Sequence, residues 1–127
     1  MSMPHPLMYD DGDPVLRRLR TLCMSLSGTV ETINFGRPWW RVGKKAYANY
    51  AGRSGHVASN ITFKATKLDQ QALVQDGRFA VAPYIGHQGW TVFTRPERLD
   101  WDEIEGIVRG AYALVAPKPK GPRAARR

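Results

Sequence analysis

The sequence of 127 residues contains little cysteine and histidine and no long apolar run. Cys23 is the only cysteine, which excludes an internal disulfide and favours a reducing compartment. No apolar stretch approaches the roughly 20 residues that span a bilayer. Residues 1–8 also lack the basic and apolar regions of a secretory signal. These absences predict a cytoplasmic protein without a membrane partner.

The sequence also lacks the motifs of common catalytic and cofactor sites. His5, His56 and His87 lie far apart, and with one cysteine they cannot assemble a closed zinc site. A G-x-S-x-G elbow and both glycine-rich nucleotide loops are missing. Cys23 falls on the apolar stripe of a predicted helix, which favours a buried structural thiol over a nucleophile. The sequence therefore predicts no catalytic residue, no metal and no cofactor, and it favours a binding protein over an enzyme.

Positive charge is in excess and is unevenly distributed. The net charge is +8. Between residues 14 and 67, ten basic residues oppose one acid, Glu31, so this stretch carries +9. Five further basic residues follow from Lys118 to the end of the sequence. Such asymmetry favours an anionic partner, most often nucleic acid, but a generally soluble basic surface explains it as well.

The spacing of apolar residues predicts an α+β fold. The pattern follows a helical period from Pro14 to Leu26 and changes to the strand period of two after Gly28. Asp13 and Asp100 are predicted N-caps, with Glu103 completing a capping box. The predicted helices are Pro14–Leu26, Leu68–Asp76 and Trp101–Ala116, and the predicted strands are Thr29–Asn34, Trp39–Val42, Ala46–Tyr50, His56–Phe63, Phe79–Ile85 and Trp90–Thr94.

This order of elements predicts an antiparallel sheet of five or six strands with three helices laid on one face. The domain is expected to cover residues 13–117. Residues 1–12 are expected to form a flexible leader, and residues 118–127 a disordered basic tail.

Aromatic and basic residues alternate between residues 35 and 45, as in surfaces that stack on bases and neutralise phosphates. Because side chains alternate along a strand, one of Trp39 and Trp40 must point away from the core unless a bulge intervenes. The sequence therefore predicts a non-enzymatic protein that binds nucleic acid, DNA above all, by phosphate contacts. The candidate binding residues are Arg37, Trp39, Trp40, Arg41, Lys44, Lys45 and Arg53.

A second unusual segment runs from Pro83 to Trp90, where glycines and aromatic residues surround a loop. It supports an alternative function, a domain that binds a small molecule or a protein through a pocket. The candidate pocket residues are Tyr84, His87 and Trp90. A continuous basic face would favour nucleic acid, whereas an apolar concavity near Trp90 would favour a small ligand.

Several motifs together resemble the MmcQ/YjbR family. They span residues 13–118 in the family's order and spacing, and they are Leu26–Glu31, Phe35–Pro38, Trp40–Ala48, Phe79, Pro83–Trp90 and Gly110–Lys118. The resemblance implies an α+β fold, compared with frataxin-like (CyaY-like) and secretion-chaperone-like architectures and described as a double-wing DNA-binding arrangement. It implies no catalytic residues. The sequence departs from the family pattern in its paired Trp39 and Trp40 and its longer arginine-rich tail.

Overall fold

The computed structural model describes residues 7–53, 57–94 and 100–117, except for the side chains of residues 53 and 57–59. The predicted α+β class is confirmed over these residues. The helices are α1 (Pro14–Met24), α2 (Lys67–Leu73) and α3 (Trp101–Val115). The strands are β1 (Thr29–Asn34), β2 (Arg37–Val42), β3 (Lys45–Arg53), β4 (Val57–Lys64), β5 (Phe79–Val81) and β6 (Trp90–Phe93). No helix in these ranges is both long and apolar enough to cross a membrane.

The described strands form one antiparallel sheet in the order β1-β2-β3-β4-β6-β5. One row of cross-strand partners crosses all six strands, and it consists of Thr32, Trp39, Asn49, Thr62, Val92 and Ala80. Because direct cross-strand partners point to the same side of a sheet, these six side chains share one face. We call this face the open face.

The helices pack against the opposite side of the sheet, which we call the helix-covered face. Leu16 and Leu19 of α1 and Ile104 and Val108 of α3 are fully buried there. The strands supply the other half of this core with Trp40, Ala48, Tyr50, Ile61, Phe63 and Phe93. Helix α2 adds Leu73, which packs against the same cluster. The core therefore lies between the sheet and the helices, and the open face is the side of the sheet that the helices do not cover.

Both predicted N-caps are confirmed. Asp13 Oδ1 accepts from the backbone N–H of Val15 at 2.9 Å, and Asp100 Oδ1 accepts from that of Asp102 at 3.0 Å. The capping box at α3 was a wrong prediction, because Glu103 turns outward to accept from the guanidinium of Arg78 instead.

The middle of the chain also differs from the predicted elements. Helix α2 begins earlier than predicted because Thr66 caps it, with its Oγ1 accepting from the N–H of Asp69 at 3.0 Å. Strand β5 ends at Val81, four residues before the predicted end at Ile85. Pro83 has no N–H to donate to a sheet, and Tyr84 has a left-handed backbone conformation with φ 67°.

The leader was predicted to be flexible, but Met8 and Tyr9 contact the domain. The N–H of Met8 donates to the carbonyl of Gly36 at 2.7 Å, and the N–H of Gly52 donates to the carbonyl of Met8 at 2.9 Å. Tyr9 packs against the core. These two residues of the predicted leader thus contact the domain, and the predicted basic tail 118–127 lies outside the described residues.

Candidate nucleic-acid interface

Three of the predicted binding residues, Arg37, Trp39 and Arg41, lie together on the open face because they alternate along β2. Arg41 crosses to β1, where its Nε donates to Thr32 Oγ1 at 3.1 Å and its Nη2 donates to Asn34 Oδ1 at 3.2 Å. The indole Nε1 of Trp39 donates to the carbonyl of Asn34 at 3.0 Å. These contacts fix the orientation of a cation and an aromatic ring beside each other on the sheet.

Trp39 and Trp40 point to opposite faces, as the alternation of strand residues predicted. Trp39 is half-buried on the open face and meets the ring of Trp90 edge-on, with 5.6 Å between centroids. Trp40 is fully buried in the core, and its Nε1 donates to Glu31 Oε1 at 2.9 Å. Trp40 is therefore a wrong prediction as a binding residue, because no ligand on the open face can reach it.

The remaining basic candidates occupy different places. Lys44 is exposed in the turn between β2 and β3, at one end of the sheet. Lys45 is exposed, but its cross-strand partner Val42 packs against the core, so Lys45 begins β3 on the helix-covered side. Lys45 is thus separated from the Arg37 and Arg41 side chains. The backbone of Arg53 ends β3, and its side chain lies outside the described part of the structure.

No acidic residue of the described strands lies on the open face. Glu31 is the only acid within the six strands, and it bonds to Trp40 on the helix-covered face. Arg20 is neutralised there by Glu31 at 2.9 Å, and this contact raises the pKa of the Arg20 guanidinium. Lys64 adds a further cation to the open face and lies 5.9 Å from the ring centroid of Trp90. The cations of this face therefore have no carboxylate among the strand residues to neutralise them.

A cavity of about 550 Å³ opens on this face, between the sheet and residues 83–85. Its sheet side is lined by Arg37, Trp39, Asn49, Asn60, Thr62 and Val92. Arg37 is half-buried here, and the loss of water around it lowers the pKa of its guanidinium. No carboxylate in the described parts of the chain lies within salt-bridge distance of Arg37.

Two buried polar side chains that line the cavity have hydrogen-bond donors without a partner in the described residues. Asn49 is only 1% exposed, and its Oδ1 accepts one long bond, 3.4 Å, from Arg37 Nη1. Within the described residues, the amide NH₂ of Asn49 and the hydroxyl of Thr62, which is 5% exposed, have no hydrogen-bond partner. Buried polar groups in proteins are nearly always bonded, so a group supplied from outside the chain is expected at this position.

The opposite wall of the cavity is a strained turn centred on Tyr84. The N–H of Ile85 donates to the carbonyl of Pro83 at 2.7 Å, which together with φ 67° at Tyr84 defines a γ-turn of the rare left-handed kind. This turn leaves the Tyr84 side chain 96% exposed. A bulky residue in this conformation stores strain, and such positions cluster at ligand-binding sites.

The pocket predicted from the loop is only partly the cavity that the structure contains. Tyr84 lines it, but His87 and Trp90 do not. His87 is exposed on a 3₁₀ turn (Gly86–Gln88), and Trp90 is buried beside Trp39 with 5% of its surface exposed. Trp90 thus supports the ring of Trp39, whereas His87 lies outside the cavity.

Sequence reasoning missed the polar residues of β3 and β4. Asn60, Thr62 and Lys64 alternate with the buried Ile61 and Phe63, which is the pattern of a strand with one face in the core. That alternation could have identified the second half of the open face. Asn49 gives a weaker signal, because the residues around it from Ala46 to Gly52 are otherwise small or aromatic.

The described residues offer no metal or thiol chemistry. They contain no group of three or more histidine, cysteine, aspartate or glutamate side chains that could hold a metal ion. Cys23 is fully buried, and desolvation raises the pKa of its thiol to about 12. The thiol is therefore protonated at neutral pH and packs as an apolar group.

One comparison with known proteins identifies a family, and another identifies a similar fold. The family model described as YjbR matches residues 24–114. A crystal structure of Deinococcus radiodurans protein DR2400, which contains the domain DUF419, is similar with a TM-score of 0.69 and 19% sequence identity. That match covers 99% of this chain and 89% of the other, and at this identity it shows a common fold alone. No curated protein matches the sequence.

Proposed function

The chain belongs to the YjbR family, and we propose that it binds nucleic acid through the open face of its sheet. The observation that carries this proposal is the charge of that face. Arg37, Arg41 and Lys64 lie on it, whereas the single acid of the strands lies on the other side. Phosphate contacts supply most of the affinity of proteins that bind nucleic acid without sequence preference.

Some cations elsewhere on the described surface are held in ion pairs. Arg78 is held by Asp76 at 2.7 Å and by Glu103 at 3.0 Å, and Arg109 is held by Glu105 at 2.7 Å. These ion pairs neutralise part of the positive charge elsewhere, while Arg17, Lys44 and Lys45 are exposed away from the centre of the open face. An uncompensated basic surface attracts polyanions over a distance of about one Debye length, roughly 10 Å at 0.1 M salt.

The aromatic residues of the face give the second support. Trp39 is oriented by its bond to Asn34 and lies between Arg37 and Arg41 along β2. An antiparallel sheet that presents aromatic rings and cations on an uncovered face is a recurrent way of binding nucleic acid, because rings stack on bases while cations contact phosphates. DNA is the class that the resemblance to MmcQ/YjbR proteins implies.

The alternative function, a domain for a small molecule or a protein, is favoured by one observation, the cavity beside Tyr84. This cavity opens on the same face as the cations and is lined by Arg37. A ligand in it would therefore also be anionic. The charge argument applies to both functions, and the polymer is preferred because Arg41 is not part of the cavity lining.

The test is a fluorescence-polarisation titration with a labelled oligonucleotide at several salt concentrations. Replacing Arg41 and Lys64 by glutamine should weaken binding to all base sequences about equally. If each cation neutralises one phosphate, the slope of log affinity against log salt should become shallower by about 1.8 on duplex DNA or about 1.4 on a single strand.

A matched control removes the same charge from the helix side of the molecule. Arg17 is exposed on α1, and Arg109 makes only an exposed ion pair on α3, so replacing both by glutamine lowers the net charge equally. The open face is not the binding surface if the control variant weakens binding as much as the Arg41 and Lys64 variant. Undetectable binding by the unaltered protein at low salt would reject the function itself.

A further inference from the structure

The cavity on the open face has a floor made of hydrogen-bond donors. The guanidinium of Arg37 can only donate. The NH₂ of Asn49 and the hydroxyl of Thr62 have no partner within the described residues, while Asn49 Oδ1 already faces Arg37 at 3.4 Å. Asn49 and Thr62 are direct cross-strand partners, so their side chains are neighbours. The complementary ligand group is therefore rich in acceptors and negatively charged.

Phosphate fits this floor better than a neutral acceptor does. Arg37 is half-buried and lacks a carboxylate partner in the described chain. A partly desolvated guanidinium gains most from an oxyanion that it can bind through two parallel N–H donors. The nearby N–H donors of Asn49 and the O–H donor of Thr62 can then hydrogen-bond to the remaining phosphate oxygens.

The mouth of the cavity presents a flat aromatic surface. Tyr84 is 96% exposed and is held there by the γ-turn at Pro83–Ile85. Trp39 lines the cavity from the sheet side. A ligand with a phosphate on the floor and a planar ring toward the mouth would contact both kinds of surface. The volume of about 550 Å³ lies within the usual range for small-molecule sites.

We infer that this cavity holds one unpaired nucleotide of a bound strand, with its phosphate on Arg37, Asn49 and Thr62 and its base against Tyr84. This inference rests on the proposed nucleic-acid function and specifies its substrate as single-stranded. A base inside a duplex is stacked and paired, so it cannot enter the cavity without the cost of unpairing. The protein should then bind a single strand more tightly than a duplex of the same length at the same salt concentration.

The first experiment compares a single-stranded oligonucleotide with its duplex for three variants. Tyr84→Ala should weaken single-strand binding at least about fivefold, because stacking on one base contributes about 1–3 kcal/mol. Tyr84→Phe keeps the ring and should bind normally. Arg37→Lys keeps the charge but loses the paired donors, and should weaken single-strand binding about tenfold. The two weakening changes, Tyr84→Ala and Arg37→Lys, should affect duplex binding less.

Two controls match these changes away from the cavity. Leu68→Ala removes an exposed apolar side chain from α2, and Arg17→Lys makes the same basic exchange on α1. Neither should alter the preference for a single strand. Equal weakening of single-strand and duplex binding by Tyr84→Ala and Arg37→Lys would overturn the inference while leaving nucleic-acid binding by the open face intact.

A second experiment uses adenosine monophosphate and inorganic phosphate as free probes, followed through the indole N–H signals in two-dimensional NMR. Adenosine monophosphate should shift the signal of Trp39, which lines the cavity, and leave that of Trp101 on α3 unchanged. Inorganic phosphate should bind more weakly. Equal binding of the two probes would overturn the base contact. Unchanged binding of adenosine monophosphate by Tyr84→Ala would overturn it as well. Shifts by the mononucleotide without binding of any oligonucleotide would support the cavity site and reject the polymer function.

Discussion

Buried polar groups differ in their hydrogen bonding between the helix-covered face and the open face of the sheet. On the helix-covered face, the hydroxyl of Tyr47 contacts Thr29 Oγ1 at 2.9 Å and donates to the carbonyl of Cys23 at 3.3 Å. Glu31 accepts from both Arg20 and Trp40. Polar groups there are bonded within the chain and join the helices to the sheet.

On the open face, two buried polar side chains of the cavity keep donors that have no partner within the described residues. Asn49 and Thr62 are as buried as many core residues, yet their donors are unsatisfied within the described residues. An unsatisfied buried polar group costs about 1–3 kcal/mol. Burial alone therefore does not distinguish a structural face from a binding face. The distinction lies in whether the buried donors have partners in the chain.

The largest effect should come from the two adjacent tryptophans. Trp40→Ala should lower the free energy of unfolding by about 3–5 kcal/mol, since it leaves a large cavity in the core. Trp39→Ala should cost less, about 2 kcal/mol, because the half-buried ring loses part of its apolar burial as well as its edge contact with Trp90. Chemical denaturation of both variants measures the contrast. Comparable losses of stability would mean that the open face is also structural.

Binding should respond in the opposite order to the same pair of variants. Trp39→Ala should weaken oligonucleotide binding, whereas folded Trp40→Ala protein should bind as the unaltered protein does at a temperature where both are native. A folded Trp40→Ala protein that has lost binding would contradict the assignment of Trp40 to the core alone.

Most of the fold could be predicted from the sequence because it depends on local rules. The period change after Gly28 and the caps at Asp13 and Asp100 placed α1, α3 and the meander correctly. The short strand β5 was predicted too long because its end depends on the unusual backbone of Tyr84, which is not glycine. Residue type alone does not reveal a positive φ at such a position.

The candidate site was only partly predictable for a related reason. Alternation showed that one of Trp39 and Trp40 faces outward, but the choice between them depends on the register of β2 against β1 and β3. The irregular pairing after Trp40 places the side chains of Tyr47 and Ala48 on the same side of the sheet. Strict alternation counted back from Ala48 therefore assigns Lys45 to the wrong face. The cavity is non-local as well, because it needs β2, β3, β4 and residues 83–85 together.

A smaller effect is expected from the ion pair that closes the helix-covered face. Glu31→Gln keeps an acceptor for Trp40 but removes the charge that faces both donors of Arg20, at 2.9 Å and 3.0 Å. We expect the free energy of unfolding to fall by about 1–2 kcal/mol. Two N–H groups of Arg20 donate to the Glu31 carboxylate, and both side chains are largely shielded from water. Glu105→Gln breaks the exposed pair with Arg109 and should cost about 0.5 kcal/mol or less. Equal losses in urea denaturation would show that burial of the Glu31 pair adds nothing.

A change of stability with the opposite sign is expected at Thr62. Thr62→Val replaces a buried hydroxyl that has no partner in the described chain with a methyl group of similar size. Removing this unsatisfied group should raise the free energy of unfolding by about 1 kcal/mol. The same change removes one donor from the cavity floor, so binding of a single-stranded oligonucleotide should weaken while stability improves.

Tyr47→Phe provides the matched control on the helix-covered face. Its hydroxyl is bonded to Thr29 and Cys23, so its removal should destabilise the protein by about 1 kcal/mol and leave binding unchanged. Thermal denaturation and polarisation titration of the two variants decide between the faces. If Thr62→Val destabilises the protein as Tyr47→Phe does, then the Thr62 hydroxyl is satisfied in the folded protein, and the contrast between the two faces does not extend to that residue. A Thr62→Val protein that is more stable but binds more weakly would instead show two things. The Thr62 hydroxyl destabilises the free protein, and the ligand supplies the acceptor that this hydroxyl lacks.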